Sequence, residues 1–169
     1  DRGTVHLSRR VDGLTPLEQG LILMEAPAQL DPDACRFSCL RALRWSDEDN
    51  QGVVNNAIYL TLLEESRHAY FTALGLLREN RFPFLLAQTN LSFVRPMRGG
   101  QEVRILVRTM QLGTTSFEQL YEIRCAQTGA CHARAQARLV CYDSASGEKR
   151  PMAEDFRAAM ARFEGLAPV

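Results

Sequence analysis

Three acidic residues, a glycine and an asparagine pair stand together in "DEDNQGVVNNAIYL", residues 47–60, directly before apolar residues at helical spacing. The chemistry open to such a set is narrow. A carboxylate can attack an electrophilic carbon itself or act as general base on a water that attacks. Free N–H groups at a helix start are fixed donors for negative charge that builds on an oxygen during that attack. Gly52 permits an unusual backbone turn, which would bring an acidic residue and the helix end to the same substrate atom. Asn55 and Asn56 each suit the N-cap position, so their side chains read as caps rather than catalysts.

The elements that must hold this segment are legible on both sides of it. "RFSCLRALRWS", Arg36 to Ser46, reads as a strand ending just before the acidic residues, which leaves Asp47 and Glu48 as strand-end or solvated charges. From Asn56 to about Leu77 the spacing of Leu60, Leu63, Tyr70 and Leu74 predicts a long helix, on which Glu64 and Arg67 can pair. Four strand-like runs follow: "LAQTNLSFVR", "EVRILVRTM", "TSFEQLYEIRC" and "CHARAQARLVCY", with Gly99 and Gly100 marking a hairpin between the first two. The last run puts Ala133, Ala135 and Ala137 on one face with Cys131, Leu139 and Cys141, opposite His132, Arg134, Gln136 and Arg138. Small residues on one face suit a helix lying close against the sheet, so one helix is wrapped by one sheet. After Pro151, Phe156, Met160 and Phe163 mark an amphipathic closing helix that stops at Gly165.

Size and charge restrict the function. A chain of 169 residues with 46% hydrophobic content fits one domain with a proper core. Twenty basic and 20 acidic residues balance, so no global field attracts nucleic acid, and no nucleic-acid partner is expected. Cys35, Cys39, Cys125, Cys131 and Cys141 contain no CxxC pair, which points to free thiols in a reducing, cytoplasmic setting. Cys35 and Cys39 with His132 fit no zinc spacing, and no metal or other cofactor is expected. No apolar run approaches the ~20 residues of a membrane span, so membrane insertion is not expected. Residues 1–34 read as an N-terminal extension, with a short helix from "TPLE" at Thr15 to about Met24, and residues 35–169 as the main domain. Because residue 1 is Asp rather than Met, a removed targeting segment stays open.

The D-x-D-x-x-G-x-V-N-N-x-x-Y pattern from Asp47 to Tyr59, the helix it opens and the later "FVRPMRGGQEVRI" resemble the hotdog-fold acyl-CoA thioesterases, in particular the 4-hydroxybenzoyl-CoA thioesterase-like group. The resemblance spans roughly residues 36–165 and implies an α+β hotdog fold, an antiparallel β-sheet wrapped around a long central α-helix. It implies that Asp49 is the catalytic carboxylate and that the Asn56 backbone amide polarises a thioester carbonyl, with Glu64 as runner-up acid. Val53 stands where many relatives carry histidine, which weakens the assignment to a subgroup more than the activity.

The same resemblance implies acyl-CoA as substrate and a homodimer or homotetramer with its site at a subunit interface. It places Gln88 and Thr89 on the strand brought in from the neighbouring subunit, and Gly52, Val54 and Tyr59 at the substrate. Tyr59 reads equally as a packed core residue. Arg95 and Arg98, with Lys149 and Arg150, lie in or beside loops able to hold the coenzyme A phosphates. The non-enzymatic alternative is an acyl-CoA-binding or regulatory hotdog protein with a dead site. A hotdog hydratase is disfavoured because no histidine occurs between His6 and His68.

Overall fold

The computed structural model describes residues 26–167. The short helix expected from Thr15 lies outside them. Strands β1 (Phe37–Ala42), β2 (Phe84–Phe93), β3 (Glu102–Leu112), β4 (Ser116–Cys125), β5 (Cys131–Asp143) and β6 (Glu148–Lys149) join helices α1 (Asn56–Ala73) and α2 (Glu154–Glu164). The sheet runs β1-β3-β4-β5-β2, with β6 added to β5. Every pairing is antiparallel.

Helix α1 begins where Asn55 Oδ1 accepts the Ala57 N–H at 2.9 Å, and the chain then runs without glycine or proline until Gly75, which sits at φ 68°. At 18 residues it stops short of the expected Leu77. Its buried stripe is Tyr59, Leu62, Leu63, Ser66, Arg67, Tyr70 and Phe71, a set of i, i+3, i+4 and i+7 neighbours. Leu60, counted with the core on spacing, is instead 46% exposed, because the stripe is turned toward Ser66 and Arg67.

That stripe lies on the sheet face of small residues, as the alternation in β5 predicted. Ala133, Ala135 and Ala137 are buried, and so are Ile105, Val107, Ile123 and Tyr121 in the neighbouring strands. Alanines leave room for the large residues of the helix, and each large apolar side chain taken from water contributes about 2 kcal/mol. The helix runs antiparallel to β2: Tyr59 near its start meets Phe93 edge-on at 4.9 Å, and Phe71 near its end meets Phe84 at 5.0 Å. Helix α2 closes the far end with Phe156 and Met160 buried, and Gly165 terminates it at φ 69° as the sequence predicted.

Two expected features differ in the fold. Strand β1 ends at Ala42, and a single 3-10 turn, Trp45–Asp47, stands between it and the rest of the acidic segment. Gly99 and Gly100 do not close a hairpin. Strand β2 pairs with β5, whereas β3 pairs with β1 and β4, so residues 94–101 cross from one edge of the sheet toward the other. His132, on the face of β5 opposite the alanines, is buried. On that outer face Leu30 packs against Leu106 and Leu120, and its N–H reaches Glu122 Oε2 at 2.9 Å, so residues 26–35 cover part of the sheet. Among the described residues, no helix is long and apolar enough to cross a membrane.

Candidate active site

The crossing loop explains how the acidic segment is held. Met97 is buried and its carbonyl accepts the Val54 N–H at 2.9 Å. A Cβ on Gly99 would stand 2.7 Å from Trp45 Cα and 2.8 Å from the Arg44 carbonyl oxygen, so only glycine lets these two backbones approach. Leu43 and the loop exchange two bonds, Leu43 N–H to Gln101 O and Gly100 N–H to Leu43 O, both at 2.8 Å. Arg98 Nη1 donates to the Gly52 carbonyl at 3.1 Å.

Within this frame the three acidic residues divide. Asp47 is buried: Oδ2 accepts the Arg44 N–H at 2.8 Å, Oδ1 accepts Arg44 Nε at 3.1 Å, and its carbonyl receives the Asn55 N–H at 2.9 Å. Burial alone would raise its carboxyl, but the Arg44 backbone and guanidinium bonds and charge outweigh that and hold it below the usual aspartate range. Glu48 Oε1 accepts the Gly99 N–H at 2.7 Å, and Glu48 bridges to Val54. Neither ends a strand or stands free in solvent, the two readings that the sequence offered. Both brace the turn, because a helix start and a glycine loop offer them unpaired N–H groups.

Asp49 is different. Its backbone closes the turn, with its N–H on the Val53 carbonyl at 2.9 Å and its carbonyl taking the Gly52 N–H at 3.0 Å. Gly52 supplies the left-handed conformation there, φ 71°, as expected. The side chain is half-buried, and Oδ1 accepts the Gln51 N–H at 2.8 Å. Among the described residues no donor reaches Oδ2. Nearby, Asn55 caps α1 through Ala57, and the Ile58 N–H returns to the Asn55 carbonyl at 2.9 Å. The Asn56 N–H, between them, has no acceptor among the described residues. A carboxylate oxygen and an amide hydrogen without protein partners thus sit at the two ends of one short turn.

The other expected residues fall into separate groups. Val54 and Tyr59 are buried beneath the turn, and burial pushes the Tyr59 phenol up while a backbone hydrogen bond with Met97 works the other way. Arg95 and Arg98 are both exposed on the crossing loop. Gln88 and Thr89 point to opposite faces: Gln88 lies in the outer row with Arg138 and Glu118, and Thr89 in the inner row with Ala137 and Gln119. Thr89 Oγ1 is buried without a hydrogen-bond partner among the described residues.

Glu64 is exposed on α1, and the pair expected with Arg67 does not form. Arg67 is buried and its Nε donates to the Tyr121 hydroxyl at 2.9 Å, because it lies on the stripe facing the sheet. Trp45, which the sequence reading passed over, is 84% exposed beside the turn. The spacing of Arg44 and Asp47, three apart as in a capping box, was the available signal for Asp47, and the Gly99–Gly100 pair was the signal for close backbone approach. Among the described residues no group of three metal-ligating side chains converges.

Comparison with known proteins matches the sequence pattern of the thioesterase-like superfamily to residues 43–160. A 1,4-dihydroxy-2-naphthoyl-CoA hydrolase of Rippkaea orientalis is 28% identical over 120 residues, covering 68% of this chain and 87% of the relative. The structure of a thioesterase from Thermus thermophilus, complexed with coenzyme A and zinc, superposes with a TM-score of 0.70 at 28% identity, over 79% of this chain and 98% of that one. Slr0204, a 1,4-dihydroxy-2-naphthoyl-CoA thioesterase from Synechocystis, shares the fold with a TM-score of 0.68 at 24% identity, over 74% and 95% of the two chains. The chain belongs to the thioesterase-like superfamily, as a thioester hydrolase of the hotdog fold.

Proposed function

We propose that the protein hydrolyses an acyl-CoA thioester to a free acid and coenzyme A, with Asp49 as the working carboxylate and the Asn56 N–H as donor to the thioester oxygen. The observation that carries this reading is the division among the acidic residues: Asp47 and Glu48 are occupied in bracing the turn, whereas Asp49 keeps a carboxylate oxygen without a donor among the described residues. In the reaction, Asp49 either bonds to the carbonyl carbon and is released by water, or takes a proton from the attacking water. Charge on the carbonyl oxygen is met by the Asn56 amide, which needs no reorganisation at that moment. The thiolate of coenzyme A leaves and is protonated.

The reading includes a second copy of the chain. Strand β2 is an edge of the sheet and exposes Leu85 at 53% and Leu86 at 46%, with Phe93 at 50% near its end. An apolar edge of this kind favours pairing with another chain. Pairing along β2 would bring the partner's copy of this strand, with its Gln88 and Thr89 positions, toward the Asp49 turn. The five free cysteines suit a cytoplasmic setting.

The test is release of free thiol from short, medium, long and aromatic acyl-CoAs, 1,4-dihydroxy-2-naphthoyl-CoA among them, by the native protein and Asp49→Asn. Turnover by the native protein and its loss in the variant, with folding and assembly unchanged, is the expected result. Equal activity in both would remove Asp49 and turn the search to Glu64. Binding of acyl-CoA without turnover by either protein would make this a non-catalytic binding member.

A further inference from the structure

The two exposed arginines of the crossing loop are used differently. The Arg95 side chain has no hydrogen bond or ion pair among the described residues, whereas Arg98 Nη1 reaches back 46 residues to the Gly52 carbonyl at 3.1 Å. Among the described residues no backbone N–H meets that carbonyl, so Arg98 is the donor it has. Arg98 is itself fixed from behind: its N–H donates to Gln101 Oε1 at 2.8 Å, and the Gln101 carbonyl takes the Leu43 N–H, just past β1, at 2.8 Å.

Residues 49–53 form a lobe whose other hydrogen bonds close on themselves. The Asp49 N–H meets the Val53 carbonyl, the Gly52 N–H meets the Asp49 carbonyl, and the Gln51 N–H meets Asp49 Oδ1. The stems on either side are anchored, by Asp47 and Glu48 before the lobe and by the Val54 N–H on the Met97 carbonyl after it. Between the stems, among the described residues, the Arg98 bond is the one hydrogen bond from elsewhere in the chain. It falls on Gly52, where φ of 71° reverses the backbone, and Asp49 is bonded to both Gly52 and Val53. Turning the Gly52 peptide would therefore carry Asp49 with it, relative to the start of α1. Solvent competes for a bond made by an exposed arginine, so this one adds little to stability. Its leverage on rate is greater, because a displacement of about 1 Å between reacting groups can cost about 10²-fold.

We propose that Arg98 is a positioning residue: through the Gly52 carbonyl it holds the Asp49 lobe at its distance from the Asn56 N–H, and Gln101 holds Arg98 in turn. The effect on rate rests on the thioesterase reading, whereas the effect on the lobe does not. Arg98 is then not a holder of coenzyme A phosphates. A phosphate contact would act on KM, and only for substrates that carry the nucleotide, whereas a lost tether acts on kcat for any substrate.

The test uses the full chain as native protein, Arg98→Met, Gln101→Ala and the double variant. Each is assayed on the acyl-CoA that the native protein turns over fastest in the panel above and on the same acyl-pantetheine, with thermal unfolding and amide exchange measured alongside. Arg98→Met should lower kcat about tenfold on both substrates with KM and Tm unchanged. Gln101→Ala should lower kcat less, and the double variant should lose no more than Arg98→Met alone, because both act through one bond. The Asp49 and Gly52 N–H groups should exchange faster in Arg98→Met, with the rest of the chain unaltered. A rise in KM confined to acyl-CoA with kcat unchanged would overturn the proposal in favour of phosphate binding. Unchanged kinetics, additive losses in the double variant, or a fall in Tm that accounts for the loss of activity would each overturn it as well. Absence of turnover by the native protein would sink the thioesterase reading alone, and the exchange rates would then decide: faster exchange at Asp49 and Gly52 in Arg98→Met upholds the tether, and native rates there overturn it.

Discussion

Two polar regions touch α1, and they are built on opposite terms. Beneath the helix, Arg67 donates to Tyr121, Tyr121 to Gln119 at 2.6 Å, Gln119 to Thr109 at 3.1 Å, Thr109 to Tyr70 at 3.1 Å and Tyr70 to Glu164 at 2.8 Å. All six residues are buried, and each is joined to the next. At the start of the same helix, the Asp49 turn leaves one carboxylate oxygen and the Asn56 N–H without protein partners among the described residues. Buried polar groups that are fully joined specify a unique packing, whereas unjoined groups beside solvent are available to a ligand. The first region therefore carries stability, and the second is left open to a ligand, as the proposed chemistry requires.

The contrast breaks first at Asp49. Replacing it with Asn should lower kcat by about 10³-fold, within the range for a lost acid–base group, while leaving Tm unchanged. A large fall in Tm would mean that the turn depends on this carboxylate after all. Next in size, Arg67→Met should cost about 2 kcal/mol in denaturant unfolding, because the buried Tyr121 hydroxyl loses its charged donor and keeps only its bond to Gln119. Loss of activity without loss of stability would instead tie Arg67 to the reaction. Asp47→Ala lies between the two regions: it removes a brace rather than a reactant, and should cost about 1 kcal/mol with a measurable fall in kcat as the turn loosens.

The smallest effect sharpens the contrast through pH. Burial raises the Glu164 carboxyl, only partly offset by the Thr109 N–H and the Tyr70 hydroxyl. The folded state therefore holds this proton above the ordinary glutamate value of 4.5, where the unfolded chain has released it. Stability contributed by Glu164 is full below that value and declines as pH rises through the raised one. Asp47 acts in the other direction, its contribution being present above the ordinary aspartate value of 3.8 and lost as pH falls through its lowered one. In Glu164→Gln the decline above pH 4.5 should disappear from a series of thermal unfolding curves. An unaltered profile would show that Glu164 does not titrate differently in the fold.

Much of the fold was legible because it rests on local rules. The apolar alternation in β5, a cap by one of the Asn55–Asn56 pair and the stop at Gly165 each follow from a few neighbouring residues, and each was observed, with Asn55 as the cap. What the sequence did not show was tertiary. Arg67 looked like a surface partner for Glu64 because spacing on a helix does not reveal which way the helix is turned, and the partner that decides it, Tyr121, is 54 residues away. Gly99 looked like a hairpin glycine because pattern alone cannot say which strands pair. At the site, the Asp49 turn could be located, but the separate duties of Asp47 and Glu48 depend on Arg44 and Gly99, and those contacts exist only once the crossing loop is in place.

That loop has a consequence for the order of folding. The Asp49 turn is held through Met97, Arg98, Gly99 and Gln101, reached only after the chain has passed through α1 and β2, and β3 must dock against β1 to carry them there. Closing so long a segment is entropically costly, and contacts between distant segments slow the search. The helix can form from its own sequence early, but its first turn stays without a brace until the sheet has closed on both sides of it. The Asp49 turn should then be among the last features to settle, and in amide exchange the Val54 N–H, held by the Met97 carbonyl, should gain protection in that late step while the Asn56 N–H stays open.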